Sequence, residues 1–158
     1  RTQADIEPPR YRSRSVSAHQ MKLQDSRPYR YPWKMMKENF EKAEVNDPAL
    51  GICVDYINPL TGGSVLSTIS CRVQVMPPGF EGGVIRTTAS EIAFVVEGYG
   101  SVDCGQSSLD WGERVTIALP NWTKRRWINR SRRDRAVLFV LDDTPILSAF
   151  GFLREENC

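Results

Sequence analysis

The chain has 158 residues, 41% of them apolar and 25% charged, with a formal net charge of +2. That length suits one domain with a single well-buried core, and the apolar-to-charged balance is that of an ordinary soluble domain. No apolar run approaches the roughly 20 residues needed to cross a bilayer, the N-terminal stretch lacks the apolar centre of a secretory signal, and so small a net charge does not argue for nucleic acid.

Residues 1–30 are rich in Arg, Ser, Pro and Gln and carry the run Arg10-Tyr11-Arg12-Ser13-Arg14. They are expected to form a basic flexible arm, with residues 31–158 as the folded domain. His19, the single histidine, falls in that arm and is expected to be a solvated surface residue. Met35, Met36, Phe40 and Ala43 recur at helical spacing and predict a helix over Lys34–Ala43. Trp33 is expected to anchor the arm to the domain, and Asp47-Pro48 ends the helix or starts the next turn.

Strands are then expected in series. Gly51–Tyr56 is a short apolar run, followed by turn chemistry at Asn58-Pro59 and Thr61-Gly62-Gly63. Val65–Val75 alternates as a strand and closes at Pro77-Pro78-Gly79. Glu91–Val96 and Ser101–Cys104 flank a glycine-punctuated reversal, Glu97-Gly98-Tyr99-Gly100. Val115–Leu119 and Ala136–Leu141 are further strands, and Asp142-Asp143-Thr144-Pro145 opens a short helix over Ile146–Ala149. Many short strands between Gly/Pro turns predict an all-β sandwich or closed barrel. The basic run Arg130–Arg135 reads as a solvated turn. Cys53, Cys71, Cys104 and Cys158 have no paired metal spacing and are expected to be reduced thiols, as in a cytoplasmic protein.

One stretch has a more specific spacing. Gly79, Ile85, Arg86, Thr87, Glu91 and Gly98 are followed by Pro120, Asn121, Trp122, Arg125 and Asn129. This resembles the two-part signature of the cupins, whose metal-binding histidines would stand at Ile85, Thr87 and Arg125 and whose carboxylate ligand would stand at Glu91. The resemblance implies a cupin jelly-roll barrel (double-stranded β-helix) with a short N-terminal helix and an extended arm. In a strand, Ile85, Thr87 and Ala89 share one face while Arg86 and Thr88 share the other. A transition metal needs imidazole, thiolate or carboxylate donors converging at about 2.0–2.3 Å. Ile85 offers none, Thr87 only a weak neutral donor, and Arg125 is a permanent cation that repels a metal. No metal and no cofactor are therefore expected. Arg125 is expected to take roughly the vacated metal position with Glu91 as its counterion, either as a catalytic pair or as a satisfied structural ion pair.

Further blocks sharpen the resemblance: Tyr31-Pro32-Trp33, Tyr56–Gly63, Val95–Gly100, Pro120-Asn121-Trp122, Leu138-Phe139, Asp143–Leu147 and Gly151–Glu155. Together they are similar to the C-terminal cupin of the gentisate 1,2-dioxygenases and of the related salicylate and 1-hydroxy-2-naphthoate dioxygenases. Those families imply bicupins, usually dimers or tetramers, that open aromatic rings with Fe(II) and O2. The Gly-Asp pair expected before the second motif is replaced by Arg114-Val115. The expected function is a metal-independent enzyme that isomerises, cyclises or dehydrates a small aromatic or polyketide-like molecule. Glu91 and Arg125 would be catalytic, and Tyr56, Thr87, Trp122 and Trp127 would bind substrate, the aromatic residues having core packing as the alternative. Two other readings stand beside it: a non-catalytic C-terminal half of an Fe(II) gentisate-type dioxygenase, and a small-molecule binding module. A homodimer or higher homo-oligomer is expected, with neither nucleic acid nor membrane as partner.

Overall fold

Strand alternation decides most of the architecture. A computed structural model describes residues 30–158 together with the backbone of Ser15–Val16; the expected arm, with His19 and its basic run, otherwise lies outside the described residues. In chain order the elements are β1 (Ser15–Val16), α1 (Trp33–Glu41), β2 (Ile52–Tyr56), β3 (Ser70–Met76), β4 (Ile85–Thr87), β5 (Glu91–Glu97), β6 (Gly100–Cys104), β7 (Ser107–Trp111), β8 (Thr116–Leu119), β9 (Arg125–Asn129), β10 (Ala136–Asp142), α2 (Thr144–Ala149) and β11 (Glu155–Asn157). They form two sheets, β1-β2-β3-β10-β5-β8 and β11-β4-β9-β6-β7, so the chain passes repeatedly from one sheet to the other. All described pairings are antiparallel except β1 on β2. This is a jelly-roll barrel, in line with the fold class read from the strand and turn pattern.

Residues directly opposite across a ladder share a face. Glu91, Ala93 and Val95 of β5 therefore point into the barrel with Asp142, Val140 and Leu138 of β10, while Ile92 and Phe94 lie outside and are partly exposed. From the other sheet Val102, Trp111 and Trp127 complete an apolar interior that also includes Cys53, Met76, Ile117 and Leu119. A second core lies on the outer face of β2, β3 and β10. There Met36 and Phe40, one turn apart on α1, cover Val54, Tyr56, Val73, Val75 and Val137. β3 and β10 are buried on both faces, and β10 reads as a nearly continuous apolar run, whereas the residues of β5 and β8 alternate between buried and exposed.

Four sequence expectations change in detail. The strand expected from Val65 begins at Ser70, because Leu66 N–H donates to the Ile69 carbonyl and closes a turn with both side chains exposed. Gly98-Tyr99-Gly100 is a corner between sheets, since β5 and β6 do not pair. Gly98 has φ +92°, and a Cβ on Gly100 would stand 2.1 Å from the Ile128 carbonyl oxygen. The hairpin is instead β6–β7, and β7 escapes sequence reading because only Trp111 of its five residues is buried. The aromatic anchor preceding α1 is Tyr31, whose hydroxyl donates to the Ile57 carbonyl (2.7 Å) and whose ring meets Tyr56 edge-on; Trp33 opens α1 and leans on Phe40.

No disulfide joins Cys53, Cys71, Cys104 and Cys158. Arg130 and Arg135 pair with Asp110 and with Glu41 and Glu97, as expected of a turn at the surface. Among the described residues, no helix is long and apolar enough to cross a membrane.

Candidate functional site

Charged side chains gather at one end of the barrel. Glu91 is the first residue of β5, Asp142 the last of β10 and Ser70 the first of β3, and the sheet register sets the three side by side. Arg72 projects from β3 on the same face as Ser70. Arg125 opens β9 in the opposite sheet, where it faces Ile85 of β4 and Cys104 of β6. Its guanidinium reaches across the interior, and Nη2 lies 3.2 Å from Glu91 Oε1. Arg72 Nη2 donates to the same oxygen at 3.0 Å, and Arg72 Nη1 donates to Asp142 Oδ2 at 2.8 Å. Asp142 Oδ1 accepts from the Ser70 hydroxyl and from Thr144 N–H. All four charged side chains are at most 8% exposed.

This network is Glu91 shared between two guanidiniums, with Asp142 steadying one of them. Burying such ions is costly unless every charge has its counterion, and mutual pairing meets that requirement here. The hydrogen bonding is less complete. Arg125 Nε, Nη1 and Nη2 have no acceptor in hydrogen-bonding geometry, and Glu91 Oε2 has no donor. Glu91 thus balances the charge of Arg125 without occupying its donors.

A cavity of about 200 Å³ opens beside the pair, between the Asp47–Leu50 turn and β11. Asp47 shapes its lip by accepting from Ala49 and Leu50 N–H at 2.8 and 2.9 Å. Thr87, Glu91, Arg125, Arg72 and Ile85 line its floor. Of the residues expected at the site, then, Glu91, Arg125 and Thr87 converge. Trp127 is fully buried in the barrel core against Trp111. Trp122, with φ +53°, lies at the surface under the Arg86 guanidinium, 4.4 Å from its ring. Tyr56 is on the outer face of β2 between Tyr31 and Phe139, because the inward position of that strand falls to Asp55. Burial, helped by the nearby Cys71, pushes the Tyr56 phenol up to about 12. None of the three aromatic residues lines the cavity.

Arg72 and Asp142 are the site residues that sequence reasoning missed. Arg72 left a signal, since Ser70, Arg72 and Gln74 make every second residue of β3 polar within an apolar strand. Asp142 was read with Asp143 as a helix start, but it is Asp142 that accepts from Thr144 N–H while Asp143 makes no side-chain cap.

The donors at this site do not fit a transition metal. The two carboxylates are each bonded to a guanidinium, and a third cation between Arg72 and Arg125 would be repelled. Among the described residues, no group of three His, Cys, Asp or Glu side chains converges as metal ligands.

The paired antiparallel sheets with this mouth define a cupin. Their fold matches a salicylate 1,2-dioxygenase variant from Pseudoaminobacter salicylatoxidans in complex with gentisate, with a TM-score of 0.74 and 22% identity over 80% of this chain and 36% of that one. No family model matches the chain. Curated relatives do. The 1-hydroxy-2-naphthoate 1,2-dioxygenase of Nocardioides sp. (strain KP7) is 37% identical over 131 residues, covering 82% of this chain and 34% of the relative. The 5-aminosalicylate 1,2-dioxygenase of Comamonas sp. is 33% identical, covering 80% and 34%. A gentisate 1,2-dioxygenase of Aquipseudomonas alcaligenes is 32% identical, covering 82% and 37%. The chain belongs to the gentisate 1,2-dioxygenase-like cupin family, and it spans about a third of the length of the curated relatives it matches.

Proposed function

We propose that this cupin is the non-catalytic C-terminal module of a gentisate-type aromatic dioxygenase, supporting an iron-bearing cupin rather than holding iron itself. One observation carries the reading. At the position where the cupin signature has a metal-binding histidine stands Arg125, fully buried, with its guanidinium on the carboxylate of Glu91. A buried salt bridge closes the barrel where a metal would otherwise cross-link the same strands. The match to only about a third of each dioxygenase relative supports a modular role. Assembly as a homodimer or higher homo-oligomer belongs to the same proposal.

The test is metal retention and oxygen consumption. After anaerobic Fe(II) loading and desalting, the chain should retain no stoichiometric iron. It should also consume no O2 with gentisate, salicylate or 1-hydroxy-2-naphthoate. Retained iron or turnover of any of the three would overturn the proposal.

The cavity favours a second reading. Arg125 and Glu91 both face it, and Glu91 Oε2 lacks a partner, an arrangement that supports metal-independent isomerisation, cyclisation or dehydration of a small aromatic or polyketide-like molecule. Conversion of such a compound by the iron-stripped chain, abolished in Glu91→Gln, would place this reading first.

A further inference from the structure

We infer that the free edge of β8 pairs with β8 of a second copy of this chain, joining two six-stranded sheets across a two-fold axis. The inference rests on the homo-oligomer part of the proposal above, which it deepens by naming the surface; it is independent of whether the module holds iron.

The main chain supplies the first observation. β8 ends its sheet and pairs only with β5. Successive residues of a strand turn their N–H and C=O groups to opposite sides. The Val115 carbonyl accepts from Val95 N–H, so Val115, Ile117 and Leu119 direct their backbone groups toward β5. Those of Thr116 and Ala118 therefore face away from the sheet, and both residues are exposed. An antiparallel copy with Ile117 on the axis sets Thr116 opposite Ala118 of the second copy, and Ala118 opposite its Thr116. That register pairs every outward N–H and C=O of both residues.

The second observation is the lack of protection. An unpaired sheet edge invites another strand, and proteins blunt it with charge, proline or a covering segment. Among the described residues the other edges are blunted. Ser15–Val16 lies along Asp55 and Tyr56 of β2, and the Asn46 side chain bonds both Cys53 N–H and C=O. β11 carries Glu155 and Glu156, and β7 carries Asp110. β8 reads Thr-Ile-Ala-Leu, with neither charge nor proline inside it.

The third is side-chain chemistry. Phe94 lies opposite Thr116 and Ile92 opposite Ala118, and these outward residues of β5 are 41% and 48% exposed. The water-facing side of an antiparallel sheet is ordinarily polar. The two-fold pairing aligns Phe94, Thr116, and Ala118 and Ile92 of the second copy in one row. It also sets exposed Val115 opposite Leu119 of that copy. Arg114 falls opposite Pro120, so no like charges meet across the ladder. An edge without charge suits its own copy, whereas a charged foreign strand finds no counterion along it. So short a ladder buries less than a standard interface, and the pair is a weak one, dissociating at roughly micromolar to millimolar concentration.

The test is amide hydrogen exchange of the full chain from about 10 µM to about 1 mM, with sedimentation of the same samples. Exchange at Thr116 and Ala118 should slow several-fold as concentration rises, while Ile117 and Leu119 stay protected throughout. The double variant Thr116→Lys/Ala118→Lys sets like charges opposite each other and should weaken self-association about tenfold or more. Mixing it with Thr116→Glu/Ala118→Glu should restore association. Protection of Thr116 and Ala118 that does not vary with concentration would overturn the inference, the edge then being covered by this chain's own residues. So would fast exchange throughout, or a mixture that fails to associate. Self-association undiminished by the Lys substitutions would overturn this surface and leave the homo-oligomer standing. A chain still monomeric at about 1 mM would remove both. Iron retention, which tests the supporting role, reads out separately from all of these.

Discussion

Along β3, β5 and β10 the inward side chains change from charged to apolar within the length of one strand. Arg72 gives way to Met76, Glu91 to Ala93 and Val95, and Asp142 to Val140 and Leu138. On β9 the change is from Arg125 to Trp127. Both ends of the barrel contain a buried polar side chain on β9, and their treatment differs. At the apolar end the Asn129 amide donates to the carbonyls of Met76, Pro77 and Asp134, and its oxygen accepts from Ser131 N–H. At the charged end Arg125 has a counterion but no hydrogen-bond acceptor. The closed end satisfies its polar group with backbone, as a structural core does. The mouth leaves donors unmet beside a cavity.

The comparison can be broken by asking which end depends on charge and which on volume. The largest effect should come from Arg72→Met, which removes the cation from Asp142 and leaves Glu91 with Arg125 alone. A loss of about 3–5 kcal/mol is expected in urea unfolding, partly recovered at acid pH where carboxylates take up protons. An effect below about 1 kcal/mol would mean that the network is not a structural element. Leu138→Ala, at the apolar end, should remove about 3 kcal/mol through the cavity it leaves, with no such dependence on pH. A double-mutant cycle on Glu91→Gln and Arg125→Gln sharpens the contrast. The double variant should be less destabilised than the sum of the singles by about 1–3 kcal/mol, and additivity would show that the pair is not coupled.

The smallest effect lies outside the barrel, at Tyr56. Its phenol is raised from 10.0 to about 12 in the folded chain. A raised folded-state value means that the neutral form is favoured by folding. Its contribution is complete below about pH 10 and is lost as pH rises toward 12. Thermal melting from pH 9 to 12 should therefore fall less steeply for Tyr56→Phe than for the wild type. Identical slopes would remove burial of this phenol as a source of alkaline destabilisation.

How much of this was legible beforehand varies with the kind of contact. The fold was readable because its signals are local. Short apolar runs between Gly and Pro turns mark β2, β5, β8 and β10, the spacing of Met36 and Phe40 marks α1, and Gly98 and Gly100 mark a chain reversal. The site was half readable. Glu91, Thr87 and Arg125 stood out through spacing shared with the cupins, and all three reach one cavity. Tyr56 and Trp127 were assigned by residue type alone, and residue type does not say which face of a strand a ring occupies. β11 contributes to the cavity lip with only three residues, too short and too polar to signal a strand.

The sequence by itself determined that this chain is a β-barrel of the cupin type and singled out Thr87, Glu91 and Arg125 by their spacing. Those are properties of order and spacing along the chain. Only the tertiary structure decided that Arg72 and Asp142 complete the network around Glu91, and that an open cavity adjoins Arg125. Arg72 lies 19 residues from Glu91, Asp142 lies 70 from Arg72, and they come from strands that neighbour one another only after the sheet has formed. Electrostatic pairing across such distances in sequence depends on register, which no local pattern encodes.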